Sequence, residues 1–148
     1  MNSTADAVRY NDRHHVFHSW SAQKLIDPMP VAGGAGSFFW DHAGRRYFDL
    51  GSQAVNLNLG HQHPKLVEAI QAQAGRRCTI APWFANDARG EAARLISERT
   101  PGDLNHVFFT NGGAEATENA ARMARLHTGR HKVLTAYRSY HGATGAAI

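Results

Sequence analysis

The sequence TNGGAEATEN at residues 110–119 is the most informative part of the chain. It follows the apolar run HVFF at residues 106–109, which is typical of a buried strand, and it precedes a long helical pattern. Glycines 112–113 suit a tight turn because glycine tolerates backbone conformations that other residues avoid. A strand, a glycine turn and a helix can cradle a phosphate, since the first N–H groups of a helix lack intrahelical partners and attract anions. Taken alone, such a turn more often only redirects the chain.

A second loop lies one predicted crossover further along. Residues 132–137, KVLTAY, predict the next strand, and Gly129 is expected to end the helix between the two strands. Strand, helix and strand at this spacing predict a right-handed crossover and a parallel pair. The polar run RSYHGATG at residues 138–145 then follows a strand's carboxyl end, where α/β sheets bind their ligands. One crossover gives too few strands for a finished sheet, so an incomplete α/β domain is expected.

The first half of the chain predicts a β-hairpin and two helices. Residues 37–40 and 45–50 read as strands, and the turn between them ends in Gly44, where a short hairpin loop needs positive φ. Pro64 is expected at the first position of one helix. Asn86 or Asp87 is expected to cap the other.

Composition excludes several classes of protein. The 148 residues are 43% hydrophobic and 19% charged, which is typical of a globular domain. The net charge of +4 comes from scattered arginines instead of a basic block, so no nucleic-acid partner is predicted. No stretch is long and apolar enough to span a bilayer and no signal peptide is visible, so a cytoplasmic location is expected. The single cysteine, Cys78, permits no internal disulfide.

Two histidine pairs have spacings that occur in metal sites. His14 and His18 would share one face of a helix, but no third ligand stands nearby in the sequence. His61 and His63 precede Pro64, an arrangement more typical of a structural turn. No metal site is therefore predicted.

With both loops in view, the sequence resembles the class III aminotransferases, which are pyridoxal 5'-phosphate (PLP) enzymes of fold type I. Four segments carry the resemblance in the family's order and approximate spacing. They are GSFFWD at 36–41 with YFD at 47–49, NLGHQHP at 58–64, FFTNGGAEA at 108–116 and YHG at 140–142. Four co-linear motifs are far more specific than any one of them.

The resemblance implies an α/β fold of type I, present only in part. Residues 1–52 would be an N-terminal helix and hairpin segment that forms part of the small domain. Residues 53–148 would be the first part of the large, mostly parallel-sheet domain that binds PLP. The resemblance also implies a homodimer with shared active sites.

The resemblance assigns coenzyme contacts to two loops. Residues matching Gly113 and Ala114 give backbone amides to the coenzyme phosphate in the family. The aromatic residue matching Tyr140 stacks on the pyridine ring, and His141 and Gly142 shape the loop beneath it. The alternative for Tyr140 is ordinary packing.

The substrate side is also assigned by resemblance alone. In the family, residues like Ser52, Gln53 and Val55 line the substrate pocket, together with the alanine between them. Trp83 and Phe84 match a segment that reaches the partner subunit's site. Packing in the core or at a dimer interface is the alternative for each of these residues.

The implied reaction moves an amino group from an amino acid or ω-amino donor to a 2-oxo acid through PLP. In the family, the Schiff-base lysine and the acid partner of the ring nitrogen lie well beyond the Tyr-His-Gly loop. No catalytic residue is therefore assigned within the chain: Lys24, Lys65 and Lys132 are not candidates, and the 148 residues alone are expected to be inactive. A non-catalytic phosphate-binding module, a role in assembly alone, and a class III decarboxylase or aminomutase remain alternatives.

Overall fold

The structure, a computed structural model, describes residues 4–145. These residues form two compact units that divide between Ile80 and Ala81. The domain boundary predicted near residue 52 stays a prediction. Within residues 4–145, no helix combines the length and the hydropathy that crossing a bilayer requires.

The regular elements of the described residues alternate with long irregular segments. In chain order they are α1 (Thr4–His15), β1 (Val31–Ala35), β2 (Phe38–Asp41), β3 (Arg46–Phe48), α2 (Ser52–Val55), α3 (Pro64–Arg76), α4 (Asp87–Ser97) and α5 (Gly113–Thr128).

The first unit contains an antiparallel sheet with the strand order β1-β2-β3. Across β2 and β3, Phe38 pairs with Phe48 and Phe39 pairs with Tyr47. The ring centroids of these pairs lie 5.0 and 5.2 Å apart, so each pair adds aromatic contact to the backbone ladder. Gly44 in the connecting turn has φ +82°. The predicted hairpin and its glycine are both confirmed.

Asp41 organises the hairpin turn from a nearly buried position, with 5% of its surface exposed. Its carboxylate accepts from the backbone N–H groups of Ala43 and Arg45 at 2.9 and 3.0 Å. It also accepts from Arg45 Nε at 2.8 Å and from the Tyr47 hydroxyl at 3.0 Å. Burial alone would raise the pKa of Asp41, but hydrogen bonds from Arg45, Tyr47 and Ala43 outweigh it and lower this pKa to about 2. The turn is therefore built around an ionised carboxylate.

The helix termini follow their expected chemistry. Pro64 opens α3, and the side chain of Asn86 caps α4 by accepting from Arg89 N at 3.2 Å. Gly129 ends α5 in the left-handed region at φ 66°. These three predictions are confirmed.

The two predicted strands of the second unit are not formed within the described residues. Residues 106–109 and 132–137 take part in no β ladder, so the predicted parallel pair is wrong for this structure. β-branched and aromatic residues favour an extended backbone, but a strand also needs a hydrogen-bonded neighbour and cover for its side chains. Phe108 is 65% exposed and Leu134 is 97% exposed. Within the described residues, these segments have neither a paired strand nor cover for their side chains.

His14 and His18 of the N-terminal segment form hydrogen bonds with other residues of the chain. Helix α1 ends at His15, so His18 lies outside it and shares no helix face with His14. His14 Nδ1 lies 2.8 Å from the carbonyl of Tyr10, and His18 Nε2 lies 2.6 Å from Asp12 Oδ1. Within the part of the chain that the structure describes, no three potential metal ligands come together.

Candidate active site

The start of α5 presents backbone N–H groups. Gly112 is the N-cap residue with an extended backbone, and no side chain caps the helix. The Glu115 carboxylate turns back to accept from Asn111 N at 2.9 Å, one residue before the cap. The N–H groups of Gly113 and Ala114 belong to the first turn and have no intrahelical acceptor. They are therefore oriented to bind an anion.

The loop after Ala136 lies against this helix start. Thr144 donates from its hydroxyl to Glu118 Oε2 at 2.8 Å and so ties the loop to α5. Gly142 has φ 132°, a conformation that residues with a side chain rarely adopt. A depression of about 340 Å³ lies between the two segments, and it is lined by Gly113, Ala114, Thr117, Tyr140, His141 and Gly142. The five residues assigned to the coenzyme from the sequence therefore share one depression.

Thr117 is the lining residue that the sequence analysis missed. Its hydroxyl donates to the Gly113 carbonyl at 3.0 Å, which holds the side chain on the face of α5 that borders the depression. Residues four apart lie on one face of a helix. Thr117 could therefore have been predicted from the sequence, because it lies four residues after Gly113 on the same helix.

His141 is oriented by a chain of hydroxyl groups. Ser139 Oγ donates to the Ala136 carbonyl at 2.6 Å, so its one proton is used there. Thr135 Oγ1 lies 2.8 Å from Ser139 Oγ and must donate to it. His141 Nε2 lies 2.7 Å from Thr135 Oγ1 and must then be the donor. The neutral imidazole of His141 consequently carries its proton on Nε2, and its acceptor nitrogen is Nδ1.

Three of the residues that the resemblance assigns to the substrate pocket lie in the first unit, in one tight turn. Ser52, Gln53 and Val55 belong to α2, and Ser52 lines a second depression of about 310 Å³ together with Asp49 and His61. Gln53 and Val55 are not among the residues that line it, and the Val55 side chain is 80% exposed. Within the described residues, only Ser52 of the three faces this depression.

Asp49 is the charged group of this second depression. Its side chain is 7% exposed, and Oδ2 accepts from Gln53 Nε2 at 3.0 Å and from His61 Nε2 at 2.8 Å. The hydrogen bonds from Gln53 and His61 lower the pKa of Asp49, although burial opposes them. The carboxylate is therefore ionised at neutral pH and holds the proton of His61 on Nε2.

Trp83 and Phe84 occupy an exposed irregular segment of the second unit. The Trp83 side chain is 79% exposed, and its ring centroid lies 6.1 Å from that of Phe84. Arg89 holds the segment to α4 by donating to the carbonyls of Pro82 and Phe84 at 3.1 and 2.5 Å. Neither aromatic residue is among those that line the depression at the start of α5.

A family model for the class III aminotransferases matches residues 20–148. The chain belongs to the class III aminotransferases. Fold type I is confirmed by a likeness to the taurine:2-oxoglutarate aminotransferase of Bifidobacterium kashiwanohense, solved in complex with PLP and glutamate. That likeness has a TM-score of 0.93 at 40% identity and covers 99% of this chain and 33% of the other.

Two curated aminotransferases are 41% and 35% identical to the chain over their aligned residues. The acetylornithine aminotransferase of Methanopyrus kandleri is 41% identical over 86% of this chain and 35% of its own length. The mitochondrial alanine–glyoxylate aminotransferase 2 homolog 2 of Arabidopsis thaliana is 35% identical over 82% of this chain and 25% of its own length. The chain thus spans about a third of the length of the first relative and a quarter of the second.

Class III aminotransferases depend on PLP, and the residues of this chain fit that group. The start of α5 offers N–H groups to a phosphate, and a methyl group built on Gly112 or Gly113 would meet no atom within 4 Å. The phosphate therefore has open access to the backbone. Tyr140 adds an aromatic face on the border of the same depression.

Proposed function

We propose that the protein containing this chain is a PLP-dependent aminotransferase, and that the depression at the start of α5 holds the coenzyme. The observation that carries the proposal is that two segments far apart in sequence line one depression. Gly113 and Ala114 come from the helix start, and Tyr140, His141 and Gly142 come from the loop. Family membership independently supports the same chemistry.

Each lining group has a distinct role in this proposal. The N–H groups of Gly113 and Ala114 donate to the coenzyme phosphate. Tyr140 stacks on the pyridine ring, and Gly142 permits the close approach of the loop backbone. His141 borders the ring with its orientation fixed by Thr135. These residues bind and orient the coenzyme, and they take no proton from the substrate.

Bound PLP supplies an electron sink that stabilises the carbanion left when the amino donor loses its α-proton. The lysine and aspartate that complete this chemistry in the family are not assigned within the chain. Lys24, Lys65 and Lys132 do not line the depression at the start of α5. We accordingly propose that residues 1–148 alone bind the coenzyme without turnover.

The partners are small amino and oxo compounds and a second copy of the protein. Relatives named for acetylornithine and for taurine support a donor whose reacting amine is remote from an acidic group. We propose such an ω-amino donor and a 2-oxo acid acceptor. The exposed side chain of Trp83 supports a homodimer, because large apolar groups of this kind are covered at subunit interfaces. The cytoplasmic location expected from the sequence stays a prediction.

A nitrogen-label experiment tests the proposed reaction. The purified protein with PLP is given ¹⁵N-labelled ω-amino and α-amino donors, one at a time, together with 2-oxoglutarate. Label in glutamate from an ω-amino donor is the expected result. Carbon dioxide release without transfer would identify a decarboxylase, and label moved within the donor skeleton would identify an aminomutase. PLP binding without any reaction would support the non-catalytic module, and each of these three outcomes would overturn the proposal.

A further inference from the structure

The turn at α2 has an unusual backbone. Ser52, Gln53, Ala54 and Val55 have φ values of 46°, 50°, 59° and 63°, so four consecutive residues with side chains lie in the left-handed region. Serine, glutamine, alanine and valine rarely adopt this region, and single left-handed residues are far commoner than runs. The conformation persists only because surrounding groups hold it.

Asp49 is the side chain that holds the turn. Besides accepting from Gln53 Nε2, its carboxylate lies 3.4 Å from the backbone N of Gln53, at the second residue of the turn. The backbone N–H and the side-chain amide of Gln53 thus both point to the Asp49 carboxylate. The backbone adds bonds of its own, from Val55 N to the Gly51 carbonyl at 3.0 Å and from Asn56 N to the Ser52 carbonyl at 2.8 Å.

His61 fixes Asp49 in turn, and its own position is set by the backbone. His61 and Gly36 exchange two backbone hydrogen bonds of 2.8 and 2.9 Å, which attach His61 to the connection between β1 and β2. A methyl group on Gly34 would stand 2.7 Å from the imidazole, and one on Gly60 would stand 2.9 Å from the Gly36 carbonyl oxygen. Glycines therefore make the room in which His61 packs. Its Nε2 then donates to Asp49 Oδ2 at 2.8 Å, with 17% of the His61 side chain exposed.

We propose that Asp49 and His61 are positioning residues for the amino donor, because together they hold the left-handed turn Ser52–Val55 in its binding shape. The pair borders the same depression as Ser52. The inference rests on the proposed function and on the resemblance that assigns Ser52, Gln53 and Val55 to the substrate pocket. It adds to that function two residues that contact the turn instead of the reacting atoms.

Asp49→Asn is the informative variant, and Asp41→Asn is its matched control. An amide at position 49 removes the charge and one of the two acceptor oxygens, so Gln53 and His61 no longer both donate to a carboxylate. Asp41 undergoes the same change on β2, its side chain is 5% exposed against 7% for Asp49, and its carboxylate hydrogen bonds go to residues 43–47 of the hairpin instead of to the turn Ser52–Val55. The donor KM, kcat and the PLP affinity are measured for both variants in the full protein.

The expected result for Asp49→Asn is a rise of about tenfold in the donor KM with kcat and PLP affinity nearly unchanged, because fewer molecules hold the competent turn. Asp41→Asn is expected to leave all three values as in the wild type. His61→Gln should raise the donor KM similarly, and the double variant should be no worse than either single variant. His61→Gln also serves as the test if the Asp49 variant does not fold.

Two outcomes would overturn the positioning role alone. One is an active protein in which Asp49→Asn and His61→Gln keep the wild-type donor KM. The other is an equal rise in Asp41→Asn, which would show a general effect of sheet stability. A wild-type protein that transfers no amino group would instead refute the proposed function, and the positioning role with it.

Discussion

His141 Nε2 donates to the hydroxyl of Thr135 across 2.7 Å, and this bond determines which imidazole nitrogen carries the proton. His141 must be the donor because each hydroxyl has only one proton. Ser139 donates its proton to the Ala136 carbonyl, and Thr135 donates its proton to Ser139. Thr135 therefore acts on the proposed coenzyme site through His141, without lining the depression itself.

Replacing Thr135 by valine should weaken PLP binding. The change removes the acceptor for His141 Nε2 at almost constant volume, and a lost hydrogen bond of this kind costs about 1 kcal/mol, or roughly fivefold in affinity. Thr128→Val is the control, because the Thr128 hydroxyl donates to the Ala124 carbonyl at the far end of α5. Equal PLP affinities for the two variants, measured by equilibrium dialysis, would contradict the role of Thr135.

Replacing Gly113 by proline should remove one phosphate donor while preserving the helix. Proline is favoured at the first helical position, and Gly112 before it has the extended backbone that a following proline requires. Loss of a hydrogen bond to a charged group costs about 2 kcal/mol, so PLP affinity should fall roughly thirtyfold.

Gly113→Ala is the control for the added bulk. It keeps the N–H group, and its methyl group would meet no atom within 4 Å. Alanine should bind PLP nearly as well as glycine. If alanine and proline weaken binding equally, crowding is responsible and the N–H group of Gly113 is not the donor.

The Asp41 carboxyl should titrate at about pH 2 in the folded protein. Its pKa is below the unfolded value of about 3.9, so the ionised group stabilises the fold above about pH 4 and loses this effect as the pH falls towards the folded pKa. The measurement is the pH dependence of the Asp41 side-chain ¹³C shift. A midpoint near the unfolded value would show that the bonds from Arg45 and Tyr47 do not form in solution.

Replacing Gly60 by alanine should destabilise the protein more than replacing Gly44. Both glycines have positive φ, of +81° and +82°, so both changes introduce backbone strain of about 1–2 kcal/mol. Only at Gly60 would the methyl group also stand 2.9 Å from a carbonyl oxygen, that of Gly36. The comparison is the thermal unfolding midpoint of each variant, and equal midpoints would contradict the close approach at Gly60.

Local sequence predicted the elements whose determinants are local. The hairpin around Asp41, the caps at Asn86 and Gly129 and the start of α3 at Pro64 each depend on residues within a few positions. The glycine turn at 112–113 predicted a phosphate cradle for the same reason. Its specific assignment to PLP required the resemblance carried by four separate segments.

Two features depend on contacts outside the segments themselves and escaped the sequence analysis. Nothing in the residues of the turn Ser52–Val55 predicts positive φ, and the side chains bonded to the turn or to one another beside it, Asp49 and His61, lie outside it. The run at residues 106–109 has strand propensity, yet no described neighbour pairs with it. Strand propensity shows that a segment can adopt an extended backbone. Whether the segment forms a β ladder depends on a neighbouring strand that can pair with it.

The affinity of the protein for PLP in the Tyr140→Ala variant tests the proposed coenzyme site most directly. Tyr137→Ala is its control, because Tyr137 is 92% exposed and does not line the depression. We expect a loss of about 1 kcal/mol, or roughly fivefold in affinity, for Tyr140→Ala and no change for Tyr137→Ala. Wild-type affinity in the Tyr140→Ala variant would contradict the placement of PLP between α5 and the loop.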